Sequence, residues 1–155
     1  MKDASRPSID RYSWPLAALW WLLAVAYPVL LIVAASRPEF GAEFTRMLIE
    51  RLMPGLASRH VHMLVVAIRK SAHFLGYSLF ATILVNAFLS FSRPPRSRRT
   101  LAIICAAAAI AAVGVAAMDE QIQLTAAFRS GSRQDVLVDS LGVLTALVVR
   151  IRRVE

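Results

Sequence analysis

TLAIICAAAAIAAVGVAAMDEQIQLTAAFRSGSRQDVLVDSLG, residues 100–142, decides how this chain folds. From Thr100 to Met118 there is no formal charge, and small residues dominate. From Asp119 onward the same stretch gathers Asp119, Glu120, Asp135 and Asp139 with Arg129 and Arg133. An uncharged run of this length suits a helix in hydrocarbon, where a core about 30 Å thick takes roughly 20 apolar residues. The polar stretch that follows must then lie at the end of a membrane helix, in a turn, and at the start of the next helix.

Working outward, Tyr12 to Ser36 and Ser71 to Ser92 are also free of formal charge. The chain of 155 residues is 57% hydrophobic and 18% charged, with mean hydropathy +0.57, too apolar for a water-soluble domain of this size. The expected fold is all-α: an integral membrane four-helix bundle forming a single domain over 1–155. Its spans are expected at about 14–35, 71–92, 100–118 and 134–150. The last is the shortest and contains Asp139, so it must borrow upstream residues or tilt to cross. The first exceeds the usual apolar length of a signal peptide, about 7 to 15 residues, and is read as a retained anchor.

Formal net charge is +8, and its position matters more than its size. Ten of the eighteen basic residues, Lys2, Arg6, Arg11, Arg93, Arg96, Arg98, Arg99, Arg150, Arg152 and Arg153, flank the runs on one side of an alternating layout. The positive-inside rule then places both termini and the RPPRSRR link in the cytoplasm, N-in and C-in. These arginines sit in short tethers whose charge topology already explains, so no nucleic-acid partner is expected.

The link from 36 to 69 contains EFGAEFTRMLIERLMPGL, with Phe44, Met47, Leu48, Leu52 and Leu56 near helical spacing. This pattern predicts a short amphipathic helix in the first extracytoplasmic loop, lying on the membrane or packed on the bundle. His60 and His62 form a His-x-His pair without further ligand spacing and are read as interfacial residues. Cys105, the single cysteine, is read as structural. The sequence implies neither a metal nor a cofactor.

Three helix ends meet at the outer side of this layout. Lys70, His73 and Tyr77 stand at i, i+3 and i+7 and share a face. Asp135, Asp139 and Gly142, at i, i+4 and i+7, form a second stripe at the start of the fourth span, and Glu120 and Gln123 accompany Asp119 at the end of the third. Ionisable groups at membrane depth cost several kcal/mol unless paired or hydrated, so they face a bundle interior or a wet pocket. The acids are therefore expected to meet Lys70, His73 and Arg129. Arg129 can hold a carboxylate or phosphate bidentately, Lys70 can act as a point charge, and His73 is of the residue type that can titrate near neutral pH.

These residues resemble the VanZ-like family of small bacterial membrane proteins. The family pattern, Lys-x-x-His-Phe-x-x-Tyr, then Asp-Glu-x-x-Gln, then Arg-x-Gly-Ser-x-x-Asp-Val and a later acid before Gly, is met by Lys70, His73, Phe74 and Tyr77, by Asp119, Glu120 and Gln123, and by Arg129, Gly131, Ser132, Asp135, Val136, Asp139 and Gly142. Ile122, Ala127 and Phe128 depart from it, standing where members often carry His and a Pro-Gly pair. The resemblance implies a cell-envelope protein whose named relative lowers susceptibility to the glycopeptide teicoplanin. The expected binding residues are Lys70, His73, Tyr77, Asp119, Glu120, Gln123, Arg129, Ser132, Asp135 and Asp139. The expected partner is a membrane lipid or a lipid-linked envelope precursor; the oligomeric state is left open. An intramembrane enzyme acting on a lipid-linked phosphate or ester is the alternative, with His73 and Asp119 or Asp139 as a base pair and Arg129 with Lys70 stabilising negative charge.

Overall fold

The computed structural model describes residues 14–35, 37, 41–91, 97–125 and 133–152. Among them are five helices, α1 Trp14–Ala35, α2 Ala42–Leu52, α3 Ser58–Leu89, α4 Arg98–Thr125 and α5 Arg133–Arg152, and no strand. Three of these, α1, α3 and α4, are long and apolar enough to cross a membrane. The chain is thus all-helical, with membrane-capable helices where the uncharged runs predict them. The fourth expected span coincides with α5, which is helical over 20 residues but is not among the three, because Asp135, Asp139, Arg150 and Arg152 dilute its apolar character.

Two boundaries differ from the sequence expectation. α3 begins at Ser58, well before the expected start near Arg69, and its 32 residues span about 48 Å at 1.5 Å per residue. Arg59, His60, His62 and Arg69 make this extension look like a loop in composition. Yet no Pro or Gly interrupts Ser58 to Leu75, so nothing breaks the helix. The break lies upstream at Pro54-Gly55, where Gly55 has φ +93°, a left-handed conformation that glycine adopts without steric cost. α4 likewise runs past Met118 to Thr125, which puts Asp119, Glu120 and Gln123 on a helix. At its other end Ser97 Oγ accepts the Thr100 amide at 3.1 Å, an N-cap that satisfies one of the free amides of the first turn.

The buried stripe of α4 is built from Leu101, Cys105, Ala108, Ala112 and Ala116, three or four residues apart. Its alanines let α3 and α5 approach closely, as small residues do between membrane helices. Opposite them lie Phe80, Ala81, Leu84 and Val85 of α3 and Val143 and Leu147 of α5. Cys105 is one of the buried residues of this core. α1 attaches by aromatic contacts: Trp21 meets Phe88 edge-on at 5.5 Å, and Tyr27 stacks on Phe80 at 6.0 Å. The Tyr27 hydroxyl also donates to the Gly76 carbonyl at 3.3 Å. The rest of α1 exposes Leu16, Leu19, Leu22, Val25, Val29 and Leu30, an apolar face larger than soluble monomers tolerate and suited to lipid.

α2 packs on the N-terminal extension of α3 through a separate small core of Ile49, Val61 and Val65. The amphipathic segment is therefore docked on the helical bundle. It still leaves Phe44, Met47, Leu48 and Leu52 exposed.

α3 and α5 make the most extensive helix pairing, and at Gly142 their backbones lie too close for a side chain. A Cβ built there would fall onto the Phe74 carbonyl oxygen and lie 3.0 Å from Ser78 Oγ. The Ser78 hydroxyl bridges the two backbones, 2.7 Å from Phe74 O and 2.9 Å from Gly142 O. Gly142→Ala must push backbone apart and is expected to destabilise the protein by about 1–3 kcal/mol, the usual cost of overpacking. Gly114 of α4, where a Cβ meets nothing, is the control: Gly114→Ala is expected to be neutral or to gain up to about 1 kcal/mol of helix propensity. Thermal unfolding of the two variants in detergent, followed by circular dichroism, checks both signs.

Candidate functional site

The buried stripes of three helices change character at one end. On α4 the run Ala108, Ala112, Ala116 continues as Asp119, Glu120 and Gln123; on α5, Leu147 and Val143 give way to Asp139 and Asp135; all of these polar residues are buried. On α3 the core residues Phe80 and Tyr77 lead to half-buried His73 and Lys70. Helical periodicity alone brings the polar segments to the same face as the apolar ones, so packing the cores forces the polar ends together.

Lys70, His73 and Tyr77 of α3 then each meet a different acid. Lys70 Nζ lies 3.0 Å from Asp135 Oδ1, His73 Nδ1 lies 3.1 Å from Asp139 Oδ1, and the Tyr77 hydroxyl donates to Asp119 Oδ2 at 3.3 Å. With Asp139 ionised its oxygen only accepts, and the pair then has the hydrogen on Nδ1 and leaves Nε2 for another partner. Asp139 is 2% exposed and Asp119 3%, so both carboxylates depend on protein donors. Asp119 uses only one oxygen in this way: its Oδ1 is buried and has no hydrogen-bond partner among the described residues. Glu120 and Gln123 lie beside Asp119 on the same buried face. Arg129 and Ser132, the remaining expected site residues, and Gly131 lie outside the described residues.

Beside this polar cluster is a cavity of about 530 Å³ between α1, α2, α3 and the end of α4. Leu31, Phe44, Leu48 and Leu52 supply much of its apolar wall, and His73, Tyr77, Asp119 and Arg69 also line it. Pockets of this size, mostly apolar with a few fixed polar groups, are the usual form of a small-molecule site. Sequence reasoning missed the α2 wall and Arg69. The amphipathic period of residues 44 to 56 marks an apolar face, but the identity of its covering surface depends on α2 docking onto α3. Arg69 stands next to Lys70 yet lines the cavity, whereas Lys70 meets Asp135.

The family model VanZ/LLP1 matches residues 15–152. The chain belongs to the VanZ family. No curated protein and no solved structure gives a significant match. The match runs from α1 to the end of α5 and so includes both polar helix ends as well as α2. Membership supports a VanZ-like envelope protein with membrane-spanning helices.

The polar pairs of this VanZ-family chain differ in what they contribute. The Lys70 side chain is 36% exposed, and a partly exposed ion pair is worth roughly 1 kcal/mol or less. Tyr77 and Asp119 are buried, and removing the hydroxyl leaves a carboxylate with no described donor, a loss of about 1–3 kcal/mol. Tyr77→Phe is therefore expected to lower the unfolding temperature more than Lys70→Met, as measured by thermal unfolding in the same detergent. The reverse order would show that the partly exposed Lys70–Asp135 pair, not Tyr77–Asp119, secures the cluster.

Proposed function

We propose that this protein is a four-span inner-membrane protein, N-in and C-in, whose extracytoplasmic end binds an envelope amphiphile or lipid-linked precursor. In doing so it alters susceptibility to teicoplanin-type glycopeptides. The observation that carries the reading is the polar cluster itself: buried, matched acid and base groups at one end of an otherwise apolar bundle, bordering a cavity. Charges at such depth persist where they serve a pathway or a ligand.

The topology rests on helix register. Lys70 pairs with Asp135 and His73 with Asp139, Ser78 with Gly142, and Arg150 Nη2 lies 3.4 Å from Asn86 Oδ1. The partner number rises along both helices at a near-constant interval, so α3 and α5 run parallel from one end to the other. Parallel neighbours require α4 to return between them. α5, about 30 Å long for 20 residues at 1.5 Å each, then crosses the same thickness as the apolar part of α3.

A second reading, an intramembrane enzyme on a lipid-linked phosphate or ester, is favoured by the His73–Asp139 pair. A carboxylate on Nδ1 orients an imidazole for general-base work through Nε2, and His73 borders the cavity. Turnover of such a substrate by the purified chain, lost in His73→Gln, is its signature.

Two measurements test the main reading. With Cys105 replaced by Ala, a membrane-impermeant maleimide on intact cells is expected to label Ser58→Cys and to spare Ser97→Cys; the opposite pattern overturns the topology. Expression of the full chain is expected to raise the minimum inhibitory concentration of teicoplanin. His73→Gln and Asp139→Asn are expected to abolish that rise while accumulating normally in the membrane, and an unchanged concentration on wild-type expression refutes the reading.

A further inference from the structure

Charge in this molecule is segregated by end. Every acid among the described residues, Glu43, Glu50, Asp119, Glu120, Asp135 and Asp139, lies on α2 or at the polar-cluster end of α4 and α5. At the opposite end Arg98 and Arg99 open α4, and Arg150 and Arg152 close α5. None of these four has a carboxylate within ion-pair distance among the described residues. The positive-inside rule accounts for arginines in solvated tethers, but Arg150 is half-buried and continues the core stripe of α5, at i+7 from Val143 and i+3 from Leu147. Its Nη2 lies 3.4 Å from Asn86 Oδ1 on α3, and its charge reaches Cys105 on α4. Its Nε is sealed from solvent. Nη1 has neither that enclosure nor a partner among the described residues, so it is the donor left to meet an anion.

A half-buried cation held by one neutral acceptor lacks the counter-charge that burial demands. Arg98 adds to the same field: it stands three and seven residues before Leu101 and Cys105, and so extends their face of α4. The surroundings select the anion. α1, α3 and α4 are membrane-capable, and at this end Trp21 of α1 meets Phe88 at 5.5 Å and Phe91 at 5.3 Å. Aromatic groups gather in this way at the head-group level of a bilayer. We infer that this end of the bundle binds an anionic phospholipid of the adjoining leaflet, its phosphate on Arg150 where α3, α4 and α5 meet, with Arg98 as the second cation. A guanidinium matches phosphate oxygens in geometry as well as charge, and basic groups between helices at the membrane surface are a usual form of such sites. A zwitterionic choline head suits the place less, since it brings its own cation among four arginines. This site lies at the other end of the molecule from the one proposed above and stands or falls without it.

The test titrates the full chain in detergent with phosphatidylglycerol or with phosphatidylcholine of the same acyl chains, and counts retained lipid by native mass spectrometry. An arginine near a membrane surface is worth about fivefold in binding an anionic lipid, so phosphatidylglycerol is expected to bind about tenfold or more tightly than phosphatidylcholine. Arg150→Gln is expected to lose about fivefold of that preference, and Arg98→Gln with Arg150→Gln to remove it. Arg59→Gln deletes the same charge from an exposed position at the far end of α3 and is expected to leave the preference intact. Should Arg150→Gln not fold, Arg98→Gln alone, at an exposed position, carries the test with its own expected loss. Excess inorganic phosphate is expected not to displace the lipid. Equal binding of the two lipids by the wild type, a preference that survives Arg98→Gln with Arg150→Gln, or an equal loss in Arg59→Gln overturns the inference. Displacement by inorganic phosphate overturns it in favour of a soluble anion.

Discussion

A carboxylate enclosed between apolar helices needs a donor close at hand, and the arrangement of α3, α4 and α5 follows from that need. Asp139 and Asp119 are shielded from solvent, where an unpaired charge costs far more than any single apolar contact returns. His73 and Tyr77, both on α3, meet them. α3 therefore acts as the shared donor strip for two other helices. A rotation of α3 about its axis, or a slide by one turn, would strand both acids at once. The alanine stripe of α4 and Gly142 of α5 permit the close approach; the polar contacts choose one register among those the small residues allow.

This division of labour explains what can be read from residue order alone. Uncharged runs such as Thr100 to Met118 disclose membrane-capable helices, because transfer into hydrocarbon tolerates few charges. The spacing of Lys70, His73 and Tyr77 discloses a common face, because helical geometry is local. Which acid each would choose is not local: it depends on the axial offset between α3 and α5, which Ser78 and Gly142 help to set through their own backbone contact. The start of α3 at Ser58 escapes a composition-based reading for a related reason. Arg59, His60 and His62 are tolerated in a helix of 32 residues, longer than the roughly 20 a bilayer core takes, whose first turns carry α2 on Val61 and Val65.

The cavity is still less legible, since four helices contribute to it and none advertises it. Phe44 and Leu48 look like membrane-facing residues of an amphipathic segment. Their role as a wall emerges only when Ile49 anchors α2 to α3. Two interaction surfaces thus lie on one short helix, one turned to Val61 and Val65 and one to the space above His73 and Asp119. The polar cluster and the apolar cavity share His73, Tyr77 and Asp119, so a change in one is felt by the other without any long-range device.

The parallel pairing of α3 with α5 bears on how such a chain enters a membrane. On the proposed topology α5 carries Asp135 and Asp139 into the bilayer, each penalised by up to about 3 kcal/mol at the centre of an isolated helix. α3 brings Lys70 and His73 with no acid of its own nearby. Neither helix is a good solitary guest. Because α4 must cross before α5 can lie beside α3, the neutralising partners arrive in the order of synthesis, two helices apart. Biogenesis then favours holding α3 at the insertion site until α5 emerges, so that the two partition into lipid as a charge-matched pair.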